Sequence, residues 1–160
     1  MPTPNGRSGC KFANMNQISL LTTQDLEPAF AIEQRSHAFP WTEKTLASNQ
    51  GERYLNFALR VDGVLAAFAI TQVVLDEATL FNLAVDPAFQ RRGLGRELLR
   101  HLIGELEQRG VMTLWLEVRA SNAAAIALYE QLDFNEVSIR RNYYPTRDGK
   151  EDAIMMALTI

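Results

Sequence analysis

Leu80-Phe81-Asn82-Leu83-Ala84-Val85-Asp86-Pro87-Ala88-Phe89-Gln90-Arg91-Arg92-Gly93-Leu94-Gly95 runs from an apolar strand pattern, through a turn, into a glycine loop. Asp86-Pro87 punctuates the end of the strand. From there the apolar residues Leu94, Leu98, Leu99, Leu102, Ile103 and Leu106 fall at helical spacing. Glycines between a strand and a helix let main-chain amides approach a ligand, because no Cβ stands in the way. The helix start adds N–H groups without intrahelical partners and the positive end of its dipole. Arg91, Arg92, Arg96 and Arg100 add cations. The stretch predicts a seat for a phosphate or diphosphate group.

What the loop lacks narrows the choice. Leu98 follows Gly93-Leu94-Gly95-Arg96-Glu97, where a dinucleotide fingerprint wants a third glycine. A Gly-Lys-Ser/Thr triplet ahead of the helix is missing too, which argues against a nucleoside-triphosphate loop. The spacing Gln/Arg-x-x-Gly-x-Gly between strand and helix resembles the acyl-coenzyme A loop of the GNAT acetyltransferases.

With 160 residues, 47% of them hydrophobic, the chain has the size and apolar content of one domain with a sizeable core. A net charge of −3 argues against a general nucleic-acid binder. Cys10 is the only cysteine, so an internal disulfide or a thiol-rich metal site is excluded. The longest apolar segment, Val64 to Ile70, is far too short to cross a bilayer. The N-terminus carries no apolar signal segment, so a cytoplasmic protein is expected.

Met1 to Asn14, rich in Pro, Gly, Ser and Asn, reads as a disordered leader or an added extension, with Met15 as a natural start. The domain is expected over residues 15–160. Ile18 to Leu21 reads as a strand. Asp25 reads as the N-cap of a helix with Leu26, Phe30, Ile32 and His37 on or near its inner side. Phe39-Pro40-Trp41 breaks it, and Thr42-Glu43-Lys44-Thr45 starts another. Tyr54–Val61 and Val64–Leu75 flank Asp62-Gly63, a strong hairpin signal, and Ala78–Val85 follows. The arginine-rich helix ends near Gly110. Val111–Val118 is a continuous apolar run, as in a strand buried on both faces. Ser121 is expected to cap a helix through Leu132, with strands at about Phe134–Arg141 and Asp152–Ile160. The expectation is an α/β fold: a mixed central sheet of about seven strands flanked by about four helices. That element order also matches the GNAT fold, and the resemblance covers the chain from Met15 onward.

Glu117 lies near the C-terminal end of a strand otherwise made of apolar residues. Asn122, Ile126 and Tyr129 share one helix face by their spacing. Strand and helix ends meeting there would bring a carboxylate, an amide and a phenol around one reacting centre. Acetyl transfer from a thioester to an amine needs a neutral amine, and an α-amine of pKa about 7.7–8.0 is mostly protonated near neutrality. A carboxylate takes that proton, directly or through water. A phenol gives one to the departing thiolate, although a thiol of pKa about 8.5 needs little help.

The GNAT resemblance implies roles for these residues. A Glu at the position of Glu117 is the base and a Tyr at that of Tyr129 the acid. Asn122 contacts the coenzyme, Leu83, Ala84 and Val85 offer main-chain groups to the pantetheine arm, and Arg91, Arg92, Gly93, Leu94, Gly95 and Arg96 wrap the diphosphate. Acetyl-CoA is the implied co-substrate, with no metal and no covalent enzyme intermediate. Arg141-Asn142-Tyr143-Tyr144-Pro145 is expected in the turn between the last two strands. In the N-terminal protein acetyltransferases of the family such a Tyr-Tyr hairpin closes over the substrate, opposite the loop between the first two helices. Phe39 and Trp41 in the loop His37-Ala38-Phe39-Pro40-Trp41 would therefore bind substrate together with Tyr143 and Tyr144. Phe39-Pro40-Trp41, Asn49 to Arg53, Leu116 to Asn122 and Arg141 to Tyr144 resemble the bacterial members of the family that acetylate the N-terminal alanine of small-subunit ribosomal protein eighteen. The implied partner is the N-terminus of that basic protein, with no direct nucleic acid, no membrane and a monomeric enzyme.

Each residue also has a structural alternative. Glu117 could pair with Arg119 or Arg140, Tyr129 could be core packing, and Tyr143 and Tyr144 ordinary strand residues. His37 and His101 have no metal-ligand spacing and read as structural or surface groups. Asp76-Glu77 and Asp148–Asp152 read as solvated loops; attraction of a basic peptide is the secondary alternative. Two rival functions remain at this stage: acetylation of lysine side chains or small amines, and a coenzyme-binding module without catalysis.

Overall fold

The computed structural model describes residues 15–160; the expected leader, with Cys10, lies outside them. Strand β1 (Asn16–Leu20) precedes helices α1 (Leu26–Ser36) and α2 (Glu43–Ser48). Strands β2 (Phe57–Val61), β3 (Val64–Val74) and β4 (Glu77–Val85) follow, then α3 (Leu94–Gln108), β5 (Thr113–Arg119), α4 (Ala123–Gln131), β6 (Asn135–Pro145) and β7 (Lys150–Thr159). The strands form one mixed seven-stranded sheet in the order β1-β2-β3-β4-β5-β7-β6. The α/β class and the element order are as the sequence predicts.

By contact the chain gathers into two compact units. One holds the residues up to Gln50 with Asn56–Ala69 and Leu83–Leu98; the other holds Gly51–Leu55, Ile70–Asn82 and Leu99–Ile160. Strands β3 and β4 and helix α3 run through both.

In the first unit the β2–β3 hairpin turns at Asp62 (φ 51°) and Gly63 (φ 84°), the two positive-φ positions that a tight I′ turn demands. Asp25 stands at the N-cap position of α1 as expected, but its side chain makes no cap bond there. A short 3₁₀ turn, Thr23–Asp25, comes first, and Thr22 and Asp25 form a capping box. The Thr22 N–H donates to Asp25 Oδ2 at 2.9 Å. Asp25 is buried and also takes the guanidinium of Arg60 from β2. Ala29, Ile32 and Glu33 are the buried residues of α1, while Leu26, Phe30 and His37 are half-buried.

In the second unit Gly110, at φ 77°, ends α3 as expected. Of the α3 stripe, Leu94, Leu98, Leu99, Leu102 and Leu106 are buried and Ile103 is half-buried. Each buried leucine contributes roughly 1.5–3 kcal/mol. Strand β5 corrects the reading of a strand buried on both faces. Leu114, Leu116 and Val118 are buried, whereas Thr113, Trp115, Glu117 and Arg119 are only half-buried. One face packs on the core and the other borders a cavity. The α4 cap is Asn122, not Ser121: its Oδ1 accepts from the Ala125 N–H at 3.2 Å. The described residues contain no helix long and apolar enough to cross a membrane.

Candidate active site

The parallel register of β4 with β5 runs from Glu77↔Thr113 to Leu80↔Leu116 and stops there. Beyond that point Phe81 and Asn82 on β4, and Glu117 on β5, are no longer paired with each other. Two parallel strands that stop pairing leave a gap at the sheet surface. A cavity of about 480 Å³ lies there, bordered by Phe81, Trp115, Glu117, Arg140, Tyr144 and Met155 among others. Alternation along β5 puts Trp115 and Glu117 on the same face. The carboxylate is on this wall because the strand's core-facing positions are its leucines and Val118.

Glu117 pairs with Arg140 of β6. Its Oε2 lies 2.8 Å from Arg140 Nε, yet this oxygen is buried and receives no hydrogen bond of acceptable direction among the described residues. The two observations agree if the cation stands beside the oxygen with its N–H aimed past it. We read the contact as an ion pair rather than a directed hydrogen bond. Glu117 thus keeps a carboxylate oxygen that no donor holds.

Tyr143 and Tyr144 lie in strand β6, not in the turn expected for them. The β6–β7 register shifts between Arg140 and Tyr144, where Asn142 takes φ 53°. Such a bulge re-aims the side chains that follow it. The two rings meet edge-on at 5.1 Å, Arg140 stacks over Tyr143 at 5.2 Å, and Arg119 stacks over Tyr144 at 4.5 Å. Tyr144 is half-buried and Tyr143 is exposed. Burial, then the neighbouring Glu117 and Tyr143, push the Tyr144 phenol up, against the pull of Arg119 and Arg140.

Tyr129 on α4 is buried and packs against Phe134 at 5.6 Å. Burial, with Tyr144 next, pushes its phenol up to about 12. It is a neutral O–H donor throughout the physiological range. Asn122 is exposed at the head of α4 with its carbonyl oxygen engaged by the cap, which leaves its NH₂ end for a ligand.

The glycine loop belongs to the other unit. Arg91 (φ 66°) and Gly93 (φ 75°) both take left-handed backbone, and the first α3 bond runs from the Glu97 N–H to Gly93 O at 3.0 Å. Left-handed backbone ahead of a helix start is the kind of conformation from which main-chain N–H groups can face an anion. A Cβ at Gly93 would meet nothing within 4 Å, so glycine is required by its φ rather than by space. Arg91, Arg92 and Arg96 are exposed, and Arg92 stacks over Phe89 at 5.2 Å. This donor set, main-chain amides with exposed guanidiniums, fits a diphosphate. Upstream, Leu83 and Val85 are half-buried and Ala84 is buried, so any contact by Ala84 is through its main chain.

The α1–α2 loop carries a residue that sequence reasoning missed. Glu33, buried in α1, accepts from the Trp41 N–H at 2.9 Å and approaches His37 Nε2 at 3.6 Å. One carboxylate fixes both ends of the segment bearing Phe39, which is exposed, and Trp41, which is half-buried. A glutamate on the inner face of an amphipathic helix was the available signal.

The family pattern described as the acetyltransferase (GNAT) family matches residues 20–134. The chain belongs to the acetyltransferase (GNAT) family. A relative, the ribosomal protein bS18-alanine N-acetyltransferase of Escherichia coli strain K12, is 77% identical over 146 residues, 91% of this chain and 99% of that protein. The enzyme of the same description from Haemophilus ducreyi is 52% identical over 88% of this chain and 98% of its own length. The crystal structure of the ribosomal-protein-S18-alanine N-acetyltransferase from Escherichia coli superposes with a TM-score of 0.89 at 77% identity, covering 91% of this chain and 94% of that one. This GNAT protein is an enzyme, an acetyl-CoA-dependent N-acetyltransferase, and the alternative of a module without catalysis falls.

Proposed function

We propose that this enzyme moves the acetyl group of acetyl-CoA onto the α-amine of an N-terminal alanine, that of ribosomal protein bS18. Transfer is direct, with both substrates bound. The acceptor is the one named for its relatives at 77% identity. The observation that carries the reading is Glu117, a carboxylate on the cavity wall just beyond the last β4–β5 pair.

Acetyl-CoA supplies an acyl group already activated as a thioester. In this reading the main chain at Leu83, Ala84 and Val85 and the amide of Asn122 hold its pantetheine arm. Gly93, Leu94, Gly95 and the guanidiniums of Arg91, Arg92 and Arg96 hold its diphosphate. Glu117 takes one proton from the alanine ammonium, directly or through water, so that nitrogen presents a lone pair. The Tyr129 hydroxyl donates a hydrogen bond to the sulfur as the C–S bond breaks. With the phenol at about 12, complete transfer to a thiolate of pKa about 8.5 is uphill by roughly 5 kcal/mol. Tyr129 therefore stabilises the leaving sulfur by donation and keeps its own proton, while the second proton that the nitrogen loses on becoming an amide passes through solvent to the thiolate, giving the free thiol. Tyr143 and Tyr144, with Phe39 and Trp41, hold the acceptor chain.

The competing acceptor is a lysine side chain or a small amine. A peptide beginning with alanine and containing one internal lysine, compared with its Nα-blocked form, separates the two by mass spectrometry. One acetyl on the free α-amine and none on the blocked peptide supports the reading; acetyl on lysine in both refutes it.

A further inference from the structure

Arg119 and Glu151 take no part in the chemistry above, yet they join three elements around the acceptor clamp. Arg119 closes β5, and its Nη1 donates to Pro145 O at 2.8 Å and to Glu151 Oε2 at 3.2 Å. Its guanidinium lies flat over Tyr144, 4.5 Å from the ring centre. Glu151 of β7 is the cross-strand partner of Tyr144 in the β6–β7 ladder. Its other oxygen, Oε1, accepts from the Ser121 N–H at 3.0 Å, in the turn that leads into α4. Both side chains are largely covered, at 23% and 18% exposure, unlike a solvated surface pair.

We infer that Arg119 and Glu151 are positioning residues that clamp Tyr144 in place and tie it to the turn before α4. The inference rests on the acceptor role given to Tyr144 above. The chemistry favours this pair over a general structural staple. Arginine alone among the cations combines a flat face for an aromatic ring with several in-plane donors for a carbonyl and a carboxylate. Lysine at this position keeps the charge and has donors to spare, but loses the flat stacking face and the fixed in-plane fork. The bulge interrupts the β6–β7 pairing between Arg140 and Tyr144, and Pro145, paired with Lys150, has no N–H to donate. The bond from Arg119 to Pro145 O adds a side-chain hold where the ladder resumes after the bulge. Glu151 keeps Arg119 in the stacking orientation and, through Ser121, fixes the turn that carries Asn122.

The test is steady-state kinetics on Arg119→Lys and Glu151→Gln with an alanine-initiated peptide. The variants are also placed in a Tyr144→Ala background, and acetyl-CoA binding is measured separately. Each single variant is expected to raise the peptide KM about five- to tenfold, with kcat and the acetyl-CoA Kd within twofold. In the Tyr144→Ala background the same changes are expected to add less than twofold. An unchanged peptide KM overturns the inference, as does an equal rise without Tyr144 or a fall in kcat alone. Should the wild-type enzyme not acetylate the peptide at all, the functional reading fails first. The pair is then judged by the tyrosinate absorbance of Tyr144, taken as the difference from Tyr144→Phe. Arg119 holds that phenol down, so Arg119→Ala is expected to move its titration to higher pH, and no movement overturns the clamp.

Discussion

Arg140 Nε stands 2.8 Å from Glu117 Oε2 without aiming a hydrogen bond at it, so charge is balanced while the carboxylate stays open to a proton. A glutamate locked in a bidentate fork would hold both oxygens in directed bonds. Replacing Glu117 by Gln keeps the shape and removes the acceptor for the amine's proton. The expected result is a kcat lower by about 10²–10⁴ with acetyl-CoA affinity unchanged, measured by thiol release and by equilibrium binding.

Tyr129 makes a prediction about alkali. Burial first, and Tyr144 second, raise its phenol from 10.0 to about 12. Between those values the unfolded chain has lost a proton that the folded chain retains, so stability present below pH 10 is lost as pH rises toward 12. The loss amounts to about 3 kcal/mol at most. Tyr129→Phe keeps the ring against Phe134 and removes this slope. Thermal midpoints measured from pH 9 to 11.5 should fall less steeply in the variant. Its kcat at neutral pH should be roughly tenfold lower, for the one hydrogen bond lost to a charged sulfur.

The loop at Gly93 predicts a separable defect. Arg91→Ala with Arg96→Ala should raise the acetyl-CoA Kd about tenfold or more at low salt and change kcat little at saturation. The difference from wild type should shrink as ionic strength rises, because exposed charge pairs are screened. Calorimetric titration at two salt concentrations reads both.

Asp25 predicts acid sensitivity. Burial alone would raise its carboxyl, but the Thr22 N–H, the Arg60 guanidinium and the Thr22 hydroxyl together hold it below 3.8. Its contribution is present above that pH and lost as pH falls through the folded value. Asp25→Asn should cost about 1–3 kcal/mol at pH 7 and progressively less as pH falls through the folded value, measured by urea unfolding.

Local signals carried much of the architecture. Asp62-Gly63 fixes a hairpin because few other residue pairs accept two positive φ angles, and the α3 stripe repeats for four turns before Gly110. The readings that failed involved neighbours competing for one job or contacts distant in sequence. Ser121 and Asn122 are both good caps, and Asn122 takes the role while Ser121 donates its N–H to Glu151, 30 residues away. Glu151, expected in a solvated loop, is a strand residue paired with Arg119, and Asp152, at the expected start of the strand, pairs with Arg141. The steering role given to them loses its basis there. Arg141–Pro145 resembled a turn because Asn142 and Pro145 are turn residues, and a bulge uses the same residue types. The Glu117 pairing with Arg140 was one of two the sequence allowed. The roles proposed for Glu117, Tyr129 and Asn122 rest on the family likeness, since spacing along a chain gives no distance across a sheet gap.

The most direct test is a single-turnover experiment with a peptide whose first residue is alanine, read by mass spectrometry for wild type and Glu117→Gln at equal acetyl-CoA occupancy. The account predicts one acetyl on the α-amine, formed at least about a hundredfold more slowly in the variant. Equal rates in the two proteins, or acetyl found on a lysine instead, would contradict it.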